Sequence, residues 1–158
     1  MSLDLEQFRD LIIEPTLEQI GLYSTSAVEL VLGTAIQESR ITYLTQIDGD
    51  DDPYNRAMGL FQMEGSTHDD IWINFLRYRG DLSEKIKAIC PSSKSEDLIG
   101  NLSYACAMCR IHYRRDRNAL PKAGDLEGQA ATWKRFYNTH LGRGTEEEYV
   151  NNWRQAHQ

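Results

Sequence analysis

Residues 24 to 39 constrain this chain most. Ser24 stands where a helix N-cap belongs, and Ala27, Val31, Ala35 and Glu38 follow at three- and four-residue spacing. The spacing predicts a helix over Thr25–Ser39 whose apolar face must be covered by the rest of the protein. The stripe closes on a carboxylate, so any fold that buries the helix draws Glu38 partly out of water. Burial disfavours the charged form and raises a carboxyl pKa. A glutamate raised to roughly 6 still holds a proton near neutrality and can donate it, as a glycosidic general acid must. The plainer alternative is a helix-terminal glutamate in an ion pair, with Arg40 and Arg56 available.

Past this helix lies an acidic loop with Asp48, Asp50, Asp51 and Asp52, followed by Met58-Gly59-Leu60-Phe61-Gln62-Met63-Glu64-Gly65. Gly59 is free to adopt positive φ and would let a bulky ligand lie against bare backbone. Glu38-Ser39 followed by Gly59-Leu60-Phe61-Gln62 resembles the soluble lytic transglycosylase domain, a lysozyme-like family that cleaves peptidoglycan and is related to goose-type lysozyme. Phe61 stands where that family usually has methionine, and Glu64-Gly65 replaces its usual proline. A looser third block is met by Tyr137-Asn138 with Gly142 and Gly144 after three extra residues. The blocks fall in the family's order and span Val28 to Thr145.

The resemblance implies that Glu38 is the catalytic acid and then the base, with the substrate's own N-acetyl group assisting at the anomeric carbon. It implies a supporting hydroxyl from Tyr137, and a sugar groove lined by Gly59, Leu60, Phe61 and Gln62. Ser39 and Gln62 would bind sugar polar groups, and Asn138, also on the substrate side, would hold the local turn. The product would be a 1,6-anhydromuramic end. Two other readings stay open. One is a goose-type-lysozyme-like hydrolase in which Asp48, Asp50, Asp51 or Asp52 holds a water. The other is a non-catalytic structural protein of a phage with the same fold.

At 158 residues the chain is expected to form one lysozyme-like domain over 1–158, mainly α with a small β-hairpin beside the cleft. A net charge of −7, from 24 acidic against 17 basic residues, argues against nucleic acid as a partner. It also argues against adhesion to an anionic wall by bulk positive charge, so peptidoglycan glycan strands would have to be recognised locally, in a groove. No run of apolar residues reaches the length of a membrane span. The first residues, Met-Ser-Leu-Asp-Leu-Glu-Gln, lack the basic and apolar regions of a signal peptide. The expected place of action is the bacterial wall, reached after a leader is trimmed or through a phage particle or another envelope partner. No cofactor is expected. Cys106, Cys109 and His112 look like a ligand series with Cys90. On one helix, however, Cys106 and His112 would sit roughly 9 Å apart along the axis, too far for one zinc, so no metal is expected.

In chain order, the pattern predicts a first helix from Asp4 that Pro15 interrupts or kinks, with Gly21 as its stop. A hairpin is expected around Ile41 to Ile47. Ser66 or Thr67 should cap a helix ended by Gly80, and Asp81 or Ser83 should start a short one to about Ile89. The longest pattern runs from Glu96 to about Leu120 and suggests the central buried helix. Its basic end, Arg110 to Arg117, reads as charge suited to a helix C-terminus and a solvated face, ahead of substrate binding. Asp125 caps the next helix, which Gly142 and Gly144 break, and Thr145 opens a capping box for the last.

Overall fold

The computed structural model describes residues 2–46, 52, 54–138 and 142–158. The fold is mainly helical, with one two-stranded antiparallel sheet among the described residues. The first helical run passes through Pro15 instead of breaking there. Helix α1 (Leu5–Gln7) leads into a π-helical turn over Phe8–Ile13, and α2 (Glu14–Gln19) follows at once. In the wide turn the Glu14 N–H reaches the Arg9 carbonyl five residues back. That register makes room for a ring with no N–H to offer.

Helix α3 (Thr25–Ser39) forms as the spacing predicts, with the Ser24 hydroxyl accepting from the Ala27 N–H at 3.0 Å. Burial reaches well beyond one stripe, because Leu30, Leu32, Gly33 and Thr34 are covered as fully as Ala27, Val31 and Ala35. Partners therefore lie on several sides. Thr34 bonds the Tyr113 hydroxyl at 2.8 Å, and Gln37 accepts from Asn152 at 2.7 Å. At Gly33 the Tyr149 ring lies so close that a Cβ would overlap its hydroxyl.

The hairpin lies further along than expected. Strands β1 (Ala57–Met58) and β2 (Met63–Glu64) pair around the Gly59–Gln62 turn, and Thr45 contributes only a single bridge to Met58. Helix α4 (Gly65–Asn74) begins ahead of Ser66 and Thr67 and ends ahead of Gly80. The Ser66 N–H donates to the Tyr54 carbonyl at 2.8 Å. A 3₁₀ turn over Leu76–Tyr78 follows, and Gly80 starts α5 (Gly80–Ile89) instead of stopping a helix.

The long pattern after Ser95 is two helices, α6 (Asp97–Gly100) and α7 (Leu102–Arg114). Asn101 is extended and caps α7, its side-chain oxygen accepting from the Tyr104 N–H at 2.9 Å. A strong cap after a glycine outweighs the continuing apolar period. Nothing helical extends from Arg114 to Leu120. Helix α7 is buried as expected, from Tyr104 through Ile111 and again at Tyr113. Asp125 caps α8 (Leu126–Thr132), which continues as a π-helical segment over Trp133–Asn138, and Thr145 caps α9 (Glu146–Ala156). The main core runs from Phe8 to Tyr113. A smaller cluster of Ala130, Trp133 and Tyr149 joins it through Tyr137, which packs against both. No helix among the described residues is long and apolar enough to cross a membrane.

The approach of Tyr149 to Gly33 is testable. Gly33→Ala forces a methyl into the ring and is expected to cost roughly 1–3 kcal/mol. The loss should appear as a lower urea midpoint at unchanged slope. Gly100→Ala, at a position with open space around the missing Cβ, is the control and should stay within about 0.5 kcal/mol.

Candidate active site

Glu38 sits in the last turn of α3, half-buried, with one carboxylate oxygen accepting from the Trp133 indole N–H at 2.9 Å. No cation lies within ion-pair distance of it among the described residues. The ion-paired reading of this glutamate therefore gives way. Burial pushes its pKa up to about 7, and the single indole donor pulls only weakly the other way. Its place at the negative end of a helix dipole works in the same direction as burial. The result is a carboxyl group that is divided between acid and base near neutral pH.

Trp133 escaped the sequence reading, because nothing in the spacing links it to a residue so far away. The one available hint was general: an interior tryptophan needs an acceptor for its N–H. Gly144 keeps the indole in place by lacking a side chain, since a Cβ there would press on the ring at 2.6 Å. Trp133 and Tyr137 both belong to the π-helical segment.

The hairpin is fastened to α3 directly behind Glu38. The Ser39 hydroxyl donates to the Leu60 carbonyl at 2.6 Å and is also 3.2 Å from the Ala35 carbonyl. Ser39 is 2% exposed, Leu60 2% and Phe61 1%, so their side chains are not the sugar contacts that the resemblance implied. A hydroxyl already spent on backbone carbonyls and a ring packed on Phe8 at 6.2 Å are structural parts. Gly59 has φ +77°, and a Cβ there would collide with the Leu98 carbonyl oxygen. The glycine is thus needed for close backbone packing rather than for a ligand's approach. Gln62 differs from these. It is half-buried at φ 49°, and its amide N–H donates to the Gly59 carbonyl at 3.0 Å. Its side-chain oxygen keeps its capacity to accept.

Tyr137 is half-buried and its hydroxyl donates to the Phe61 carbonyl at 2.6 Å, tying the π-helical segment to the same turn. Burial first, then Cys109 and Glu38, hold that hydroxyl protonated well above the ordinary tyrosine range. The hydroxyl is buried between the Phe61 carbonyl and the Cys109 thiol. Its ring stacks on Tyr113 at 5.4 Å and meets His112 edge-on at 5.3 Å. Burial, aided by Arg115, pushes His112 down to about 3, so the imidazole is neutral and accepts from Arg115 at Nδ1. The Asn138 side chain accepts from Lys134 Nζ at 2.7 Å, and the same ammonium donates to the Gly142 carbonyl at 3.0 Å. Lys134 thus bridges the Asn138 side chain and the Gly142 backbone.

Asp48, Asp50 and Asp51 lie outside the described residues. Asp52 is exposed, and its carboxylate accepts from the Tyr54 N–H at 3.0 Å. The three cysteines are free and buried, and burial raises the Cys106 and Cys109 thiols. No group of three or more His, Cys, Asp or Glu is arranged to hold a metal among the described residues.

The cost of Glu38 can be measured. Its folded pKa of about 7 lies above the model-peptide value of 4.5, so the folded state binds the extra proton between those values. Stability is therefore lost as pH rises through that window, on the order of 3 kcal/mol by pH 8. His112 acts in the opposite sense, its low folded pKa removing stability as pH falls below 6.5. Comparing Glu38→Gln with the unaltered protein cancels the histidine. The variant is expected to be the more stable at pH 8 and equal at pH 4. A difference in unfolding midpoint that does not change with pH would mean that Glu38 is not desolvated.

No family model, curated protein or solved structure matches this chain, so the function has to be read from the site's own geometry.

Proposed function

We propose that the protein is a peptidoglycan lytic transglycosylase that cleaves the β-1,4 bond between N-acetylmuramic acid and N-acetylglucosamine. The single observation that carries this reading is Glu38. It is a carboxyl group at the end of a buried helix, with no ion pair among the described residues and a pKa brought to about 7. A structural glutamate gains nothing from such a position, whereas a residue that must give a proton and then take one back needs it. The same consideration weighs against a non-catalytic phage structural protein.

In the first step Glu38 protonates the glycosidic oxygen as the bond to the anomeric carbon breaks. The N-acetyl carbonyl oxygen of the muramic residue bonds to that carbon and takes up the positive charge. Glu38, now a carboxylate, removes the proton from the C6 hydroxyl of the same sugar. The C6 oxygen displaces the N-acetyl oxygen and closes the 1,6-anhydro ring, so no water is consumed. The Trp133 N–H steadies the carboxylate between the two steps, since it donates to one oxygen and leaves the other for chemistry. Tyr137 would support this chemistry by holding the Phe61 carbonyl and so the turn beside Glu38, and the Gln62 side-chain oxygen would accept from a sugar hydroxyl. The enzyme would act at the wall on glycan strands, delivered by a phage particle, an envelope partner or a trimmed leader.

Glu38→Gln is expected to lower release of fragments from purified sacculi by at least roughly 100-fold with an unchanged circular dichroism spectrum. Near-full activity would remove Glu38 from the mechanism. The product separates the enzyme readings. Digestion in heavy-oxygen water should give unlabelled 1,6-anhydromuramic ends. Labelled reducing ends, with collapse of activity on replacing Asp48, Asp50, Asp51 or Asp52 by Asn, would establish the hydrolase instead.

A further inference from the structure

The wall-cleaving chemistry makes no use of the basic end of α7. Where α7 ends, the segment after α2 and the start of α5 close around a cavity of about 410 Å³. Five cations line it, Arg79, Lys85, Arg114, Arg115 and Arg117, against two carboxylates, Asp81 and Asp116. In a chain with a net charge of −7 this is a local reversal of sign. One of the two carboxylates is already engaged, since Asp116 pairs with Arg135 at 2.8 Å. Arg79, Lys85, Arg114 and Arg117 have no carboxylate within ion-pair distance among the described residues.

The helix dipole accounts for cations in the last turn of α7, but not for Arg79 and Lys85, which come from a different part of the fold. Two guanidinium nitrogens, one on a lining residue and one on a residue bonded to a lining residue, are also buried without a partner among the described residues. Arg115, on the cavity wall, spends Nη1 on Asp70 at 2.7 Å and Nη2 on His112, and leaves Nε unsatisfied. Arg110 donates from Nε to the carbonyl of Leu22, another wall residue, at 3.2 Å, and leaves Nη1 unsatisfied. Unpaired buried charged donors are costly, so these guanidinium groups add positive charge beside the cavity that their own hydrogen bonds only partly offset. Burial first, then the neighbouring Arg114, hold the Arg110 pKa below its ordinary value.

We propose that this cavity is a binding site for a phosphate group, carried either as free phosphate or in a phosphodiester polymer. Planar arginine forks match phosphate oxygens in pairs, and the excess of cations over carboxylates suits a multiply charged group better than a single carboxylate. The cavity is larger than one phosphate, and Leu22, Phe75 and Leu82 give it an apolar wall for whatever carries the group. It shares no lining residue with Glu38, Trp133 or Tyr137, so binding here does not depend on the wall-cleaving assignment.

The test is calorimetric titration of the full chain with inorganic phosphate and with poly(glycerol phosphate), beside polyglutamate of matched charge. Expected is salt-sensitive binding of a phosphate probe that weakens at least tenfold in Arg114→Ala/Arg117→Ala. Both side chains are exposed, so the variant should fold, and circular dichroism checks that it does. Arg154→Ala, outside the cavity, should leave binding unchanged, and the Arg115 Nε–H resonance should shift on titration. Saturation by inorganic phosphate identifies the free ion as sufficient, and binding of the polymer alone identifies the phosphodiester. No binding of either, binding indifferent to the double variant, or polyglutamate binding equally well would overturn the proposal.

Discussion

The structure depends on one constraint, that α3 must be covered on almost every side and every polar group it carries must still find a partner. A helix with Ala27, Val31, Ala35, Leu30 and Leu32 all in the interior offers solvent almost nothing. Its neighbours are therefore set by its polar residues. Thr34 holds Tyr113 of α7, Gln37 holds Asn152 of α9, and Ser39 holds the hairpin turn. Glu38 receives the indole from the segment after α8. Burying unpaired polar groups costs more than most single contacts return, so these bonds select one arrangement of the surrounding elements over its alternatives.

Glu38 is the exception that gives the arrangement its interest. Every other buried polar side chain of α3 is satisfied by a neutral donor or acceptor suited to it. Glu38 has a charge to lose, one neutral donor and no cation among the described residues. The fold pays for this group in stability above neutral pH, and general acid–base chemistry is the use to which such a group is suited. Around it, the residues that the family resemblance placed in the sugar groove divide into two kinds. Ser39, Leu60, Phe61 and Gly59 are buried parts of the hairpin's packing, whereas Gln62 is half-buried with a side-chain oxygen that takes no hydrogen bond from the described residues.

His112 links this region to the cationic cavity. Its ring packs against Tyr137 and Phe136, and its Nδ1 takes a hydrogen bond from Arg115. A neutral imidazole in that place transmits packing without adding charge, so the acidic and basic regions of the protein can adjoin with little electrostatic interference. The net negative charge of the chain conceals the basic region from any argument based on composition.

Local pattern by itself determined a good deal. The Ser24, Asp125 and Thr145 caps and the extent of α3 were legible because a cap is a contact between residues three apart. Glu38 was legible as a half-buried carboxyl because it continues an apolar stripe. Local pattern misled where two short-range signals competed, as at Pro15, Gly80 and Gly100-Asn101, and packing or a stronger cap decided between them. Tertiary structure alone decided the partner of Glu38, the burial of Ser39 and Phe61, and the gathering of Arg79 and Lys85 with Arg114 and Arg117. Each of these joins residues from different elements. A sequence states which groups will need partners, but which groups meet is settled only when helices pack, because desolvation and hydrogen bonding depend on distance in space.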